Sequence, residues 1–352
     1  SAADVNIMLT GEALLGKILN GSETKKVAFK FGSDLTGVTD MSDCFDGCKS
    51  LTQAPVIPEG VTSMDECFKG CKSLTQAPKI PASVKGIGGI DSCFEDCTSL
   101  THAPEILANV EQMKATFKNC KSLTQAPVIP ASVEAMENTF LGCTSLTQAP
   151  VLPTNVNMVG GTFEGCTSLT QAPEIPVSVK NMGHCFKGCT KLTQAPAIPA
   201  NVIYMGSCFE GCTSLTQAPV LPTNVEQISS CFKGCTSLTQ APVIPAKVTT
   251  MYNCFEGCTS LTQAPEIPAK VTAMPSCFEG CTKLTAATLK CNYNPAVLYK
   301  DKAGNEVKAF KDVFKGCTSL KNNSVKVPSA QVVAYKAGAG TMGANENWFA
   351  AE

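Results

Sequence analysis

Cys143-Thr-Ser-Leu-Thr-Gln-Ala-Pro-Val-Leu-Pro153 is one of a long series of near-copies. Marked by the second cysteine of each Cys-Phe-x-Gly-Cys core, the series runs Cys48, Cys71, Cys97, Cys120, Cys143, Cys166, Cys189, Cys212, Cys235, Cys258, Cys281 and Cys317. Nine of the eleven steps are 23 residues; the exceptions are 26 (Cys71 to Cys97) and 36 (Cys281 to Cys317). A fixed period of this size marks a solenoid, in which each unit buries its apolar face only against its neighbours.

Working outward from Cys143, Met136, Phe140 and Cys143 are spaced i, i+4, i+7, which predicts one side of a short helical turn. Gly142 stands where such a helix stops. Residues 145–149 then read as extended, with Leu146 and Ala149 inward. Pro150 and Pro153 follow, and proline lacks the N–H that a parallel ladder needs, so only about 2 to 4 paired residues per strand are expected. An inward valine, as in Ala131-Ser-Val133, closes the coil. Stacking turns these positions into ladders: phenylalanine from Phe45 to Phe314, leucine from Leu51 to Leu320, and Met, Ile, Val or Phe from Met41 to Phe310. Substitution of methionine only by other apolar residues reads as core. The residue after each phenylalanine alternates in sign almost throughout (Asp46, Lys69, Glu95, Lys118), which limits the stacking of like charges and predicts weak pairs between rungs.

The expected architecture is therefore an α/β repeat solenoid, a leucine-rich-repeat-like right-handed coil with short parallel strands on one side and short helical turns on the other. Three segments follow: an N-terminal cap over 1–37, the 23-residue-period solenoid over 38–289, and a last repeat with C-terminal cap over 290–352. Within the first cap, Thr10 is placed to cap a helix over 12–19, Gly21 to end it, and residues 26–31 alternate like a strand. The array is interrupted by Lys85-Gly-Ile-Gly-Gly-Ile90, which is expected to bulge. A longer insertion at 289–308 carries Ala303-Gly-Asn305 between alternating runs and reads as a β-hairpin. Trp348, and Tyr335 in a short helix after Pro328, are expected to plug the last open rung.

Composition excludes several functions. The net charge of −1 gives no broad basic field for nucleic acid. No run of 18 apolar residues spans a membrane. No signal or lipid anchor is visible. The 21 cysteines are odd in number, and the first cysteine column is filled by Thr116, Thr139, Thr162 and Val313 in four rungs. Both facts favour buried free thiols over a disulfide framework, and a lone Cys-x-x-x-Cys is weak as a zinc motif. His184 precedes Cys185, but direct neighbours seldom hold the geometry of a nucleophilic pair. No phosphate-binding glycine loop occurs. The chain reads as no enzyme, with no catalytic residues, metal or cofactor.

The pattern Met/Ile-x-x-Cys/Ala-Phe-x-x-Cys, then Ser-Leu-Thr, then Ile-Pro-x-x-Val resembles the BspA-like class of leucine-rich repeats. The form Gly-Cys-Thr-Ser-Leu-Thr-x-Ala-Pro-x-Leu-Pro is similar to repeats in surface lipoproteins of gut Bacteroidetes. The match spans roughly residues 38–289, and Val327-Pro-Ser-Ala-Gln-Val-Val-Ala-Tyr335 looks like that family's closing segment. The resemblance implies a cell-surface or secreted, monomeric adhesion protein whose partner is a host or bacterial surface protein or glycan. Sharing a fold transfers no ligand. Two surfaces are candidates for contact. One is the glutamine row Gln125, Gln148, Gln171, Gln194, Gln217 and Gln240; the bland alternative is that stacked amides bond one another. The other is the irregular patch of Gly88, His102 and Glu105, for which a packing defect is the bland alternative. A passive spacer or stalk with no ligand is the competing reading of the whole chain.

Overall fold

The computed structural model describes residues 27–28, 37–300 and 304–352. The chain divides into two compact units, Ser1–Val179 and Lys180–Glu352. The helix expected over 12–19 lies outside the described residues. Of the strand expected over 26–31, β1 (Val27–Ala28) is present and pairs in parallel with β2 (Leu51–Gln53).

Both units are built from the same rung. Buried in each are its valine, its methionine-column residue, its phenylalanine, its marker cysteine and its leucine, as in Val133, Met136, Phe140, Cys143 and Leu146. The phenylalanines stack nearly parallel: Phe117 to Phe140 at 5.6 Å and Phe209 to Phe232 at 5.8 Å between ring centres. In the first unit the paired strands β3 (Lys85–Gly86) and β4 (Asn109–Val110) are parallel. Elsewhere pairing shrinks to single bridges, such as Gln125 with Gln148 and Ala135 with Met158. This is shorter than expected: the proline two residues after each bridging glutamine takes a donor out of the ladder at once. The Gly86–Gly89 insertion loops outward at exposed Ile87, so the bulge forms where the three extra residues lie.

The expected helical turn is instead a run of hydrogen-bonded reverse turns. The amides of Cys44, Asp46 and Cys48 donate to the carbonyls of Met41, Asp43 and Phe45. Those of Met41, Asp43, Phe45 and Gly47 donate to Ser63, Asp65, Cys67 and Lys69 in the following rung. A helix would spend these amides internally; here alternate ones tie rung to rung. The geometry requires a left-handed residue two before each phenylalanine: Asp43, Glu66, Ser92, Ala115, Asn138, Gly161, His184, Ser207, Ser230, Asn253, Ser276 and Asp312 all have φ between 49° and 63°. A second left-handed position, with φ of 59° to 77°, is the Phe-x-Gly-Cys glycine, replaced only by Asp96 and Asn119. Asp, Asn, Ser and Gly tolerate this region through short polar side chains or none.

In the second unit β5 (Gln263–Ile267), β6 (Ala286–Leu289), β9 (Val325–Val327) and β10 (Phe349–Ala351) form a parallel sheet in the order β10-β9-β6-β5. The insertion is the expected hairpin, with β7 (Leu298–Lys300) antiparallel to β8 (Glu306–Lys308), and Tyr299 stacks on Tyr252 at 4.5 Å. The described residues hold one α-helix, α1 (Val332–Ala337), after Pro328 as expected. Its Tyr335 is fully buried and donates to the Cys291 carbonyl at 3.0 Å. Phe349, not the half-buried Trp348, is the second aromatic at this end, tilted against Tyr335 at 5.5 Å. Asp312 and Phe314 have no following rung, and their amides donate to Thr341 and Met342 instead, both at 2.9 Å. The closing segment thus supplies the acceptors that another rung would supply.

Candidate functional site

Inside the stack, the polar side chains that look chemically capable are occupied. Every cysteine is a buried thiol. The marker thiols donate to the phenylalanine carbonyl of the rung before: Cys71 to Phe45 at 3.2 Å, Cys143 to Phe117 at 3.1 Å and Cys235 to Phe209 at 3.1 Å. Where threonine replaces the first cysteine, its hydroxyl reaches back one rung to a methionine-column carbonyl. Thr116 donates to the Ile90 carbonyl at 3.0 Å, and Thr162 to that of Met136 at 2.7 Å. Burial pushes the thiols of Cys44, Cys235 and Cys317 up to about 12, so they remain protonated at neutral pH and lack nucleophilic character. His184 occupies the left-handed turn position, its amide bonded to the Gly206 carbonyl, beside buried Cys185. Among the described residues no group of three or more His, Cys, Asp or Glu is placed to hold a metal ion.

The surface differs from row to row. Several threonine hydroxyls preceding the glutamines donate to the previous rung, as Thr147 does to Thr124 at 3.5 Å and Thr239 to Thr216 at 3.3 Å. The side chains of Gln125, Gln148 and Gln171 in the first unit, and of Gln194, Gln217 and Gln240 in the second, are exposed. The backbones of four of them bridge neighbouring rungs (Gln125 to Gln148, Gln217 to Gln240), while no hydrogen bond engages the amides of any of the six among the described residues. The amide-to-amide ladder is thus absent. Beside this row run shallow grooves, one of about 240 Å³ between Gln53–Ile57 and Gln76–Lys79, the other of about 470 Å³ along Thr239–Ala241 and Thr262–Pro265. Exposed valines after the first repeat proline, such as Val151 and Val243, edge the same face.

The irregular patch comes together only in part. His102 takes the place of a glutamine in the row, bridging Gln76 and Gln125, and its Nδ1 lies 2.9 Å from Thr101 Oγ1. Glu105 pairs with Lys79 at 3.2 Å. Gly88 lies in the looped insertion with open space around it and no hydrogen bond to either. The charge column behaves as a rung-to-rung device: Glu95 lies 2.7 Å from Lys118 and 3.9 Å from Lys69.

One row was not anticipated. The residue before each methionine-column position also bridges rungs in parallel and changes almost every time: Gln112, Ala135 and Met158 in the first unit, Asn181, Tyr204, Gln227, Thr250 and Ala273 in the second. Its signal in the sequence is that variation, set beside the near-invariant Thr-Gln pair.

The comparisons agree with this architecture. Residues 29–147, 134–262 and 207–296 match the model for the BspA type leucine rich repeat region, in six copies. A leucine rich cell surface protein of Faecalibacterium prausnitzii is similar at 20% identity, with 86% of this chain and 88% of that one covered and a TM-score of 0.55. A leucine-rich repeat protein of Bacteroides ovatus is similar at 23% identity, with 88% of each chain covered and a TM-score of 0.51. No curated protein matches significantly. With its stacked rungs and parallel bridges matched by the family model over most of its length, the chain belongs to the BspA-type leucine-rich repeat family.

Proposed function

We propose that this chain is a non-enzymatic interaction protein of the bacterial cell surface or secreted space. It offers its glutamine row to a host or bacterial surface protein or glycan, and acts as a monomer. The observation that carries this reading is the row itself: exposed amides at one fixed spacing within each unit, none engaged by the protein. Each amide brings a carbonyl acceptor and two donors, so the row suits an extended ligand with a repeating pattern of hydroxyls or peptide groups. The buried, protonated thiols support a scaffold without chemistry of its own. In this reading the segments 1–37 and 290–352 act as caps on a right-handed coil.

The test is binding of the purified chain to immobilised matrix proteins, cell-surface proteins and glycans, beside a variant with Gln125, Gln148, Gln171, Gln194, Gln217 and Gln240 changed to alanine. Saturable binding that the variant loses supports the row as the contact. Retained binding moves the contact elsewhere. The spacer reading draws on one observation, the rung-to-rung bonds that several threonine hydroxyls of the row make; it predicts no specific binding by either protein.

A further inference from the structure

The second unit carries an aromatic seat that the repeat does not require. Tyr204 stands in the variable row, 39% exposed, bridged through its backbone to Asn181 on one side and Gln227 on the other. Its ring lies over two glycines. A β-carbon at Gly183 would fall 2.5 Å from ring atom Cε1, and one at Gly206 would fall 2.5 Å from the hydroxyl oxygen and 2.8 Å from Cζ. No real β-carbon approaches so closely, so the flat pose exists only because both positions are glycine. The same column holds Ser42, Asp65, Asp91, Lys114, Glu137, Ser229, Tyr252, Pro275 and Lys311 in other rungs and glycine in three consecutive ones, Gly160, Gly183 and Gly206, so the two beneath Tyr204 belong to a local run of glycine. One face of the ring is thereby backed by main chain and the other is left to solvent.

The flanking groups are amides. Asn181 Oδ1 accepts from the Gly183 amide at 2.8 Å, which fixes that side chain beside the ring. Gln227 is exposed, and neither its amide nor the Tyr204 hydroxyl is bonded among the described residues. Thr250 continues the row, which therefore carries no charge from Asn181 to Thr250.

We infer that Asn181, Tyr204 and Gln227 form a binding site for one ring of a neutral saccharide. A pyranose presents an apolar C–H face and a rim of hydroxyls. The open tyrosine face matches the first, and amides that both donate and accept match the second. Neighbouring rungs lie about 5 Å apart, which sets the two amides at the two edges of a single sugar ring. An apolar protein partner would seek a broader desolvated patch, and an acidic sugar would seek a cation, which this row does not supply. The inference rests on reading the chain as an interaction protein, but it uses a different row from the glutamines, so the two can fail separately.

The experiment measures the full chain against immobilised neutral oligosaccharides (β-glucan, mannan, galactan, chitin fragments and neutral host N- and O-glycans), with a panel of purified surface proteins alongside. The variants are Tyr204→Ala, Tyr204→Phe, Gly183→Val and the six-glutamine replacement. Tyr204 is on the surface, so unchanged thermal unfolding of Tyr204→Ala verifies that the variant folds. The expected result is that at least one neutral saccharide binds, that Tyr204→Ala weakens it about tenfold or more, as for an aromatic anchor, and that Tyr204→Phe retains it. Gly183→Val, which displaces the ring, should weaken it as Tyr204→Ala does, while the six-glutamine variant binds normally. Absence of binding to every neutral saccharide would overturn the inference. So would saccharide binding that Tyr204→Ala leaves unchanged, or a site at Tyr204 that takes only a protein.

Discussion

Thr139→Val tests whether buried hydroxyls fasten the rungs. Thr139 is fully buried, and its Oγ1 lies 2.7 Å from both the Met113 carbonyl in the rung before and the Met136 carbonyl in its own. Valine has nearly the same shape and fits this column, because Val313 fills it in the last rung, also fully buried. The substitution therefore removes a donor without opening a cavity. Neither carbonyl is orphaned: the Thr116 amide still reaches Met113 at 3.4 Å, and the Thr139 amide reaches Met136 at 3.2 Å. The loss is then one net hydrogen bond rather than a stranded acceptor, about 1 kcal/mol. Thr139→Cys places there the residue that most rungs carry in this column, and as a swap of similar volume should cost less than about 1.5 kcal/mol. The assay is guanidinium unfolding of all three proteins, with slopes compared to verify that the same cooperative unit unfolds. Equal midpoints for Thr139→Val and the parent would refute the role given to these hydroxyls.

Other perturbations separate the remaining forces. Phe140→Ala deletes a fully buried ring stacked on Phe117 at 5.6 Å and on Phe163 at 5.8 Å, and should cost about 3–5 kcal/mol in the same unfolding assay. Gly211→Ala meets nothing nearer than 3.7 Å, yet its φ of +74° should cost about 1–2 kcal/mol from backbone alone, with Gly211→Asn milder, as Asn119 at φ 59° indicates. Partial burial, then repulsion from Asp91, Glu66 and Asp43, pushes the Asp65 carboxyl up to about 6. The folded state therefore holds this proton more tightly than the unfolded chain, and stability from this group is lost as pH rises from about 4 through about 6. Asp65→Asn should stabilise the protein at neutral pH by no more than about 1 kcal/mol once solvent screening is allowed for. That advantage should disappear below about pH 4 in a thermal-unfolding series.

The inward columns were legible because burial imposes a strict period: Phe, Leu, Met or Ile, and Val recur wherever the rung closes on its neighbour. Short strands were legible from the prolines. The turn side was not, because the spacing of Met136, Phe140 and Cys143 fits either a helical turn or a run of reverse turns. What decides between them is a polar column, Asp43, Asn138, His184, Asn253 and Asp312 among others, most of whose residue types suit left-handed backbone. His184 belongs to that column, which accounts for a histidine beside a cysteine without any catalytic pairing. The donor role of the cysteines was also hidden, since a thiol and a small hydrophobe look alike until the carbonyl 3.1 Å away is placed. The Tyr204 seat was hidden for a different reason: it needs Gly183, one rung back, to lie beneath the same ring as Gly206, two residues on, and the first of these relations runs across rungs.

The reading of this protein as a scaffold that binds rather than reacts needs its cysteines to be buried thiols. Counting thiols with a chromogenic disulfide reagent, first on the native protein at neutral pH and then in concentrated guanidinium, tests that most directly. The native protein should show no thiol reacting on the timescale of minutes, and the unfolded chain should show all 21. Fewer than 21 after unfolding would reveal cross-links, and a fast native thiol, at Cys185 beside His184 above all, would reopen the case for chemistry; either result would contradict the account.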